Sequence, residues 1–294
     1  MRDEIQRAVE LLQRGDRASL EQALALLQET VFSFSMRVCG QREDAEDTMQ
    51  EVLIKAIPYL PKFASPKALV VWLYKVAKNR CLMSRRRSKF APAQNLSLEE
   101  LMPDRKEIEE LASITPEALA IRSEGAARLR AAVQSLPPQY RIVLVLRDME
   151  GLSDDEVAEI TGLRPATVRV RLHRARLFVR KELQRASRLR LAKGATVTER
   201  PPSVSQPRAQ RCKALFAELS NYLDAQLDES LCEELERHLK GCEPCEAFLS
   251  SLRATLEQCR RLPSQAPGSK MAERLRSKLL EDYQRALAAV RSGA

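Results

Sequence analysis

The sequence predicts an all-α protein with two helical domains and a smaller, cysteine-rich helical module. Of its 294 residues, 44% are hydrophobic and 30% are charged, while only 4% are aromatic and nine are glycine. Such a composition favours helices over β-sandwiches, which need many aromatic and β-branched residues. Apolar residues also recur three and four positions apart, as at Leu24, Leu27, Val31 and Phe34, which is the spacing of one helix face.

Proline-rich and polar stretches divide the chain into segments. Pro92, Pro103 and Pro116 punctuate the first boundary, and the Pro/Ser/Gln run at 201–207 marks the second. The predicted segments are a helical domain at 1–90, a linker at 91–115, a second helical domain at 116–193, a flexible linker at 194–211, a cysteine-rich module at 212–262 and a terminal amphipathic helix at 263–294.

The hydropathy pattern gives no sign of a membrane segment or a signal peptide. Residues 1–4 are followed by no apolar core, and the longest apolar run, at 68–74, is far short of the roughly 20 residues that a membrane helix needs. We therefore expect a cytoplasmic protein that makes no membrane contact.

The charge distribution points to a polyanionic partner and to an internal contact. The formal net charge is +9, and residues 164–193 contain eleven basic residues against one acid, Glu182. Residues 215–250 reverse this balance, with nine acidic residues against two basic ones. A basic surface favours nucleic acid. Two neighbouring segments of opposite sign also predict an intramolecular contact between the cysteine-rich module and the helical domains, although two separately solvated surfaces are the alternative.

A helix-turn-helix is predicted at 151–183. Ser153 and Glu156 form a capping box, Gly162 ends the first helix, and Pro165 suits the first position of the second. The second helix carries an apolar stripe of Val168, Leu172, Ala175, Val179 and Leu183, and a basic stripe of Arg169, His173, Arg176 and Arg180, flanked by Arg171 and Arg174. A basic second helix of this kind enters the major groove of DNA.

Each of the two helical domains contains a distinctive set of motifs. Residues 135–183 include ATVRVRLHRAR at 166–176, and residues 14–87 include DAEDTMQEV at 44–52 and WLYKVAKNR at 72–80. The first range resembles region 4, with its recognition-helix signature, and the second resembles region 2 of sigma factors of the extracytoplasmic-function (ECF) group. The resemblance implies two helical sigma domains that bring core RNA polymerase to promoter DNA.

The resemblance also implies roles for individual residues of region 2. Four residues are expected to bind the polymerase: Asp44, Asp47, Gln50 and Glu51. Phe63 and Asn79 are expected to capture an unstacked base of the −10 element. Phosphates of this element are expected to contact Arg80, Arg85, Arg86 and Arg87. The loop at 63–67 lacks the glycine and the acid common in the family, so no −10 sequence preference is carried over.

In region 4, the resemblance implies a division between base contacts and phosphate contacts. Arg169, His173 and Arg174 are expected at base edges of the −35 element. Phosphate contacts are expected from Thr167, Arg171 and Arg176. Ala166 stands where the family usually has glycine, a mild change to the turn.

The cysteine-rich module contains a metal-ligand pattern. Cys212, His238, Cys242 and Cys245 follow the spacing Cys-x25-His-x3-Cys-x2-Cys, and such a Cys3His set favours Zn²⁺. The pattern resembles the zinc-binding anti-sigma domain, which implies a small helical bundle. Whether such a module inhibits the sigma domains or is required for their activity stays open at this point.

The other cysteines allow more than one interpretation. Cys232 and Cys259 are either buried core residues or a second thiolate pair that senses a thiophilic metal ion or an oxidant. Cys39 and Cys81 are expected to be unpaired core residues, because disulfides are rare in a reducing cytosol.

These motifs leave three functional classes to compare. The first is a sigma factor regulated in cis by a metal- or redox-responsive C-terminal domain. The alternative is a helix-turn-helix regulator that acts independently of polymerase and carries a purely structural zinc module. An enzyme is disfavoured, because the sequence has no glycine-rich phosphate loop. Its only two histidines are His173 and His238, and a zinc ion with four protein ligands has no open position for a substrate.

Overall fold

The computed structural model describes residues 2–14, 16–63, 65–84, 95–102, 124–191, 215–216 and 218–291. Its helices are α1 (Arg2–Arg14), α2 (Arg17–Cys39), α3 (Arg42–Ala56), α4 (Pro66–Ser84), α5 (Leu98–Leu101), α6 (Glu124–Ser135), α7 (Pro138–Leu144), α8 (Asp154–Thr161), α9 (Pro165–Leu191), α10 (Leu219–Leu223), α11 (Glu229–Lys240), α12 (Glu243–Arg260) and α13 (Ser269–Arg291). A 3₁₀ segment, Ile57–Lys62, follows α3, and a π-helical turn, Val145–Met149, follows α7. These residues form no β-strand, which confirms the predicted all-α class.

Two compact units account for the packing. The first unit combines Met1–Ala93, Val145–Pro165 and Pro263–Ala294, and the second combines Gln94–Leu144 and Ala166–Leu262. Each unit therefore draws on segments that are far apart in sequence. The helical segment predicted at 116–193 contributes to both.

The core of the first unit is built around α2, which packs against α1, α3 and α4. Leu24, Leu27, Val31 and Phe34 are all fully buried, so the helical spacing read from the sequence is confirmed as a core face. The predicted terminal amphipathic helix forms as α13 and packs on the same unit. There the side-chain amide of Gln28 donates a hydrogen bond to the Ala272 carbonyl at 2.9 Å.

The expectation that Cys39 and Cys81 are unpaired was wrong. Both residues are buried as expected, each with 1% of its surface exposed, but their sulfur atoms form a disulfide bond. Cys39 is the last residue of α2 and Cys81 lies in α4, and the packing of these helices places the two Cα atoms 5.3 Å apart. That separation lies within the range that a disulfide requires.

The second unit has a core shared between the recognition helix and the cysteine-rich module. Its buried members are Leu101, Leu177, Leu215, Phe216, Leu219, Leu235, Leu239, Cys242, Cys245, Phe248, Leu249 and Leu252. Leu101 belongs to α5, so the linker predicted at 91–115 contains a short helix that contributes to this core. The linker predicted at 194–211 lies outside the described residues.

Within the described ranges, the helices are all too short or too polar to cross a membrane.

Candidate DNA-recognition helix and metal centre

The predicted caps of the helix-turn-helix are present. The Ser153 backbone N–H donates to the Glu156 carboxylate at 2.8 Å, and the Glu156 N–H donates to the Ser153 hydroxyl at 3.3 Å. Gly162 has φ +74° and its N–H donates to the Ala158 carbonyl at 2.8 Å. A left-handed residue at this position ends a helix with little strain only when it is glycine. Helix α8 therefore stops at Thr161, and α9 begins three residues after Gly162, at Pro165.

The recognition helix α9 has its apolar stripe buried, but its basic stripe is divided. Val168, Leu172, Ala175 and Val179 are buried as predicted, and Leu183 is half-buried. Among the predicted DNA contacts, Arg169 is exposed, and Thr167, Arg171 and Arg174 are half-buried. The remaining basic positions, His173, Arg176 and Arg180, are buried by the cysteine-rich module.

Arg176 is the most deeply buried of these side chains. It is 0% exposed, and its guanidinium donates to both carboxylate oxygens of Asp224, at 2.7 and 2.9 Å. The same group reaches the Ser220 carbonyl at 3.5 Å. Paired donation to both oxygens of a carboxylate is the strongest geometry for such an ion pair. The phosphate contact expected of Arg176 is therefore replaced by a contact with the module in this conformation.

Asp224 follows α10 at a turn of unusual backbone geometry. The next residue, Ala225, has φ +54°, the left-handed region that a residue with a side chain seldom adopts. Hydrogen bonds hold the turn: Ala225 donates to the Tyr222 carbonyl at 3.1 Å, and Gln226 donates to the Asn221 carbonyl at 2.8 Å. The turn fixes the position from which Asp224 meets Arg176.

His173 is held in its neutral form. Its Nδ1 atom lies 2.7 Å from the Ser220 hydroxyl, and its Nε2 atom is buried with no hydrogen-bond partner among the described residues. Burial, with a smaller contribution from the charges of Arg176 and Arg174, lowers the pKa of His173 from 6.5 to about 4. The imidazole is consequently uncharged at neutral pH and faces the module.

Arg180 packs against the module through both its nitrogen and its planar face. Its Nε donates to the Ser251 hydroxyl at 2.6 Å, and its guanidinium carbon lies 3.7 Å from the centre of the Phe248 ring. Both partners belong to α12. Stacking of a desolvated arginine on an aromatic face is a favourable cation–π contact.

Three of the four predicted metal ligands lie together. The donor atoms of His238, Cys242 and Cys245 all lie within 4.8 Å of one another, and His238 Nε2 is 3.2 Å from Cys245 Sγ. A tetrahedral zinc ion with bonds of about 2.0 Å to nitrogen and 2.3 Å to sulfur places its donors roughly 3.5 Å apart. The three side chains therefore fit one zinc ion, while Cys212 lies outside the described residues.

Local structure explains this grouping. His238 stands in the last turn of α11, and Cys242 is the residue from which α12 starts. Cys245 lies in the first turn of α12, and its N–H donates to the Cys242 carbonyl at 3.0 Å. The positive end of the α12 dipole favours thiolates at this point. Cys232 is half-exposed in α11 and Cys259 is 1% exposed near the end of α12, so their sensor role stays a prediction.

The predicted polymerase surface lies on α3. Asp47 and Gln50 are exposed, and Asp44 and Glu51 are half-buried. Glu51 accepts from Lys55 at 2.6 Å and from Arg80 at 2.7 Å. The Lys55 hydrogen bond, supported by the charge of Arg80, lowers the pKa of Glu51 despite partial burial. A residue expected to bind polymerase thus pairs with one expected to bind a phosphate.

The residues expected at the −10 element lie on and before α4. Asn79 is exposed, and Phe63 is half-buried with its ring edge-on to Trp72 at 6.0 Å between centroids. Tyr59 is 54% exposed, and the centroid of its ring lies 6.3 Å from that of Trp72. Arg85, Arg86 and Arg87 lie outside the described residues.

Sequence reasoning missed several partners of the recognition helix. Three of these partners carry no charge and match no motif: Ser220, Phe248 and Ser251. Nothing in the sequence therefore indicated their contacts with α9. Asp224 belongs to the acidic segment that predicted an internal contact, but its pairing with Arg176 depends on how residues 48 positions apart meet.

Comparisons with known proteins identify the family. Residues 25–90 match the family Sigma-70 region 2, and residues 126–179 match Sigma-70, region 4. The chain is 32% identical over 185 residues to the RNA polymerase sigma-H factor of Pseudomonas aeruginosa, an alignment that covers 61% of this chain and 93% of that protein. The chain belongs to the ECF-type RNA polymerase sigma factors.

Two further relatives span the same part of this sigma factor. The ECF RNA polymerase sigma-E factor of Escherichia coli K12 is 30% identical over 180 residues, which cover 60% of this chain and 92% of that one. The ECF RNA polymerase sigma factor SigW of Bacillus subtilis is 26% identical over 183 residues, covering 61% and 97%. Membership of this family supports promoter-specific initiation by RNA polymerase, and it agrees with the expectation that the chain is not an enzyme.

A third match covers the cysteine-rich module of the sigma factor. Residues 212–245 match a zinc-finger family, and Cys212 and Cys245 are the first and last residues of that match. The four predicted ligands therefore all lie within the matched range. Together with the grouping of three donors, the match supports zinc binding by this module.

Proposed function

We propose that this sigma factor is held inactive by its own zinc-finger module, which covers the recognition helix until a change at the metal centre releases it. The observation that carries the proposal is the burial of Arg176 against Asp224. A guanidinium that is 0% exposed and bonded to both oxygens of a carboxylate cannot also bind DNA. The contacts of His173 and Arg180 with the same module would also keep these two side chains away from DNA.

The −35 element is the proposed target of the covered surface. On this proposal, Arg169, His173 and Arg174 bind base edges, and Thr167, Arg171 and Arg176 bind phosphates once the module has left. Arg169 remains exposed in the covered form, so residual DNA contact is confined to one part of the helix. Region 2 supplies the proposed contacts with core polymerase and with the −10 element.

The metal centre is well placed to control this contact. Cys242 and Cys245 belong to the same buried cluster as Leu177 of the recognition helix and Phe248, on which Arg180 stacks. A zinc ion bound by Cys212, His238, Cys242 and Cys245 would cross-link α11 to α12 and so fix the surface that meets α9. Oxidation of a ligand thiolate, or its capture by another thiophilic metal, would disturb that cluster. Cys232 and Cys259 are further candidate sensors in the same module.

The energies involved are sufficient for a switch. Removing one partner of a buried ion pair costs about 3–5 kcal/mol, because the other charge is left buried without compensation. Moving a two-state equilibrium from mostly closed to mostly open needs about 5.5 kcal/mol. Structural zinc sites contribute roughly 10–16 kcal/mol in zinc-finger peptides, so loss of the metal would exceed what release requires.

The decisive experiment is transcription by core polymerase with the full-length factor, using promoters upstream of its own and neighbouring genes. Asp224→Asn should raise transcript yield about tenfold or more, because a buried Arg176 loses its counter-charge. Glu233→Gln is the matched control, since Glu233 is an exposed acid of the same module. Cys245→Ser should raise the yield and abolish its response to zinc, cadmium or peroxide.

Two results would contradict the proposal. Equal yields from the parent, Asp224→Asn and Cys245→Ser would show that the module does not restrain the factor. Loss of transcription in both variants would show that the module is required for activity instead. Point variants are preferable to truncation at residue 193, because truncation also removes α13 from the first unit.

A further inference from the structure

The first unit contains a buried carboxylate that none of the predicted roles explains. The side chain of Glu150 is 0% exposed. Arg37 of α2 donates to one of its oxygens at 2.8 Å, and the Tyr74 hydroxyl of α4 donates to the other at 2.7 Å. Both oxygens of this buried group are therefore satisfied by side chains of region 2, although Glu150 itself belongs to region 4.

A second contact fixes the same part of region 4. Helix α8 packs on α4, where the Lys78 ammonium donates to the Ile160 carbonyl at 2.7 Å. Burial, with a smaller effect of Lys75, lowers the pKa of Lys78. The segment 145–165 is thus held on α2 and α4 at both ends, by Glu150 and by Ile160.

This packing conflicts with promoter binding. In a helix-turn-helix, the first helix crosses the DNA backbone at the site that the recognition helix reads. Helix α8 must therefore reach the −35 element while α4, with Asn79, reaches the −10 element. These elements are about 25 base pairs apart, which is roughly 85 Å at 3.4 Å per base pair. Helices in direct contact cannot occupy both.

We propose that Glu150, Arg37 and Tyr74 form a latch that keeps regions 2 and 4 closed on each other, and that binding to polymerase and promoter opens it. The latch uses only residues of the two sigma regions. It is therefore a second restraint, distinct from the proposed action of the zinc-finger module. Opening the latch is costly, because separating Glu150 from Arg37 and Tyr74 must break a hydrogen bond to each of them and rehydrate the two ions.

Single-molecule energy transfer in the full-length protein tests the latch. Dyes would be coupled to genetically encoded amino acids at Lys75 of α4 and Glu159 of α8, both exposed. The free parent should show high transfer, and the factor in holoenzyme on promoter DNA should show low transfer. Glu150→Gln should raise the low-transfer fraction of the free factor about tenfold or more, because Arg37 is left without its counter-charge.

Two additional variants keep the test decisive. Asp155→Asn makes the same charge change at an exposed position of α8 and should leave the fractions at the parental value. Tyr74→Phe removes one hydrogen bond from the latch and should give an intermediate fraction, which serves if Glu150→Gln does not fold. Low transfer in the free parent, or equal fractions in all variants, would overturn the inference. Zinc-finger control is measured separately, by transcription with Asp224→Asn, so either idea can fail alone.

Discussion

Each of the two units buries an ion pair, but the more deeply buried member is a cation in one unit and an anion in the other. Their partners also differ in origin. In the second unit a cation, Arg176, is covered by an acid of the zinc-finger module. In the first unit an anion, Glu150, is covered by Arg37 and Tyr74, which belong to the sigma regions themselves. The proposed restraint in the second unit would therefore depend on an accessory module and a bound metal, whereas the proposed latch in the first unit is built into the sigma domains. Agents that disturb thiolates should reach one and spare the other.

The largest expected effect concerns the Arg176–Asp224 pair. Asp224→Ala should lower the free energy of unfolding of the second unit by about 3–5 kcal/mol, because the buried charge of Arg176 loses the carboxylate that balances it. Replacing both, as Arg176→Met with Asp224→Leu, should recover most of that loss, since both charges of the buried pair are then removed together. Hydrogen exchange across residues 166–185 in increasing urea would measure the stability of this unit.

The same titration contains an internal control. The only tryptophan of the chain, Trp72, lies in the first unit, so its fluorescence follows that unit alone. The urea midpoint of the unfolding transition that Trp72 fluorescence reports should be the same in both variants as in the parent. A shift of the tryptophan transition equal to the loss in the second unit, or no recovery in the double variant, would contradict the assignment.

An intermediate effect should appear in the pH dependence of the second unit. His173 has a pKa lowered to about 4 in the covered form, so the uncovered form binds the proton more tightly. The equilibrium constant for covering of the recognition helix by the module should therefore fall about tenfold per pH unit as the pH falls from 6.5 towards 4.

Hydrogen-exchange protection of α9 between pH 6.5 and 5, corrected for intrinsic exchange rates, would measure this response. His173→Gln is the necessary comparison, because it leaves the titration of the metal ligands unchanged. Equal pH slopes in the parent and in His173→Gln would rule out the role given to this histidine.

The smallest expected effect distinguishes stacking from charge. Arg180→Lys keeps the positive charge but loses the planar face over Phe248, so the module contact should weaken by about 0.5–2 kcal/mol. Arg253→Lys is the matched control, because Arg253 is exposed and lies 6.0 Å from the Tyr222 ring centre, where stacking contributes little. Protection of the α9 amides from hydrogen exchange would measure the strength of the module contact in both variants. A loss for Arg253→Lys as large as that for Arg180→Lys would show that stacking on Phe248 is not responsible.

Features encoded over a few residues were predictable from the sequence. The capping box of Ser153 and Glu156, the left-handed Gly162 and the core face of α2 all depend on spacings of three or four positions. The grouping of His238, Cys242 and Cys245 followed in the same way, because a helix turn and a Cys-x2-Cys spacing bring the donors together.

Features that depend on the meeting of distant segments were not predictable. The Cys39–Cys81 bond joins residues 42 positions apart, and only the packing of α2 on α4 determines their separation. Glu150 meets Arg37 across 113 positions, and its acidic side chain in a turn gave no reason to expect full burial. Charge balance along the chain left an internal contact and two solvated surfaces as alternatives, and nothing in it singled out the pairing of Arg176 with Asp224.

The position of α13 has a consequence for how the molecule is made. This helix packs in the first unit with α2, yet it follows the zinc-finger module in the chain. A ribosome adds residues in order at roughly 5–20 per second, so α13 cannot emerge until the module that precedes it has left the ribosome. The first unit therefore acquires its last helix only after the module has been synthesised. No newly made copy can complete this unit before the zinc-finger module, the proposed restraint, has been synthesised.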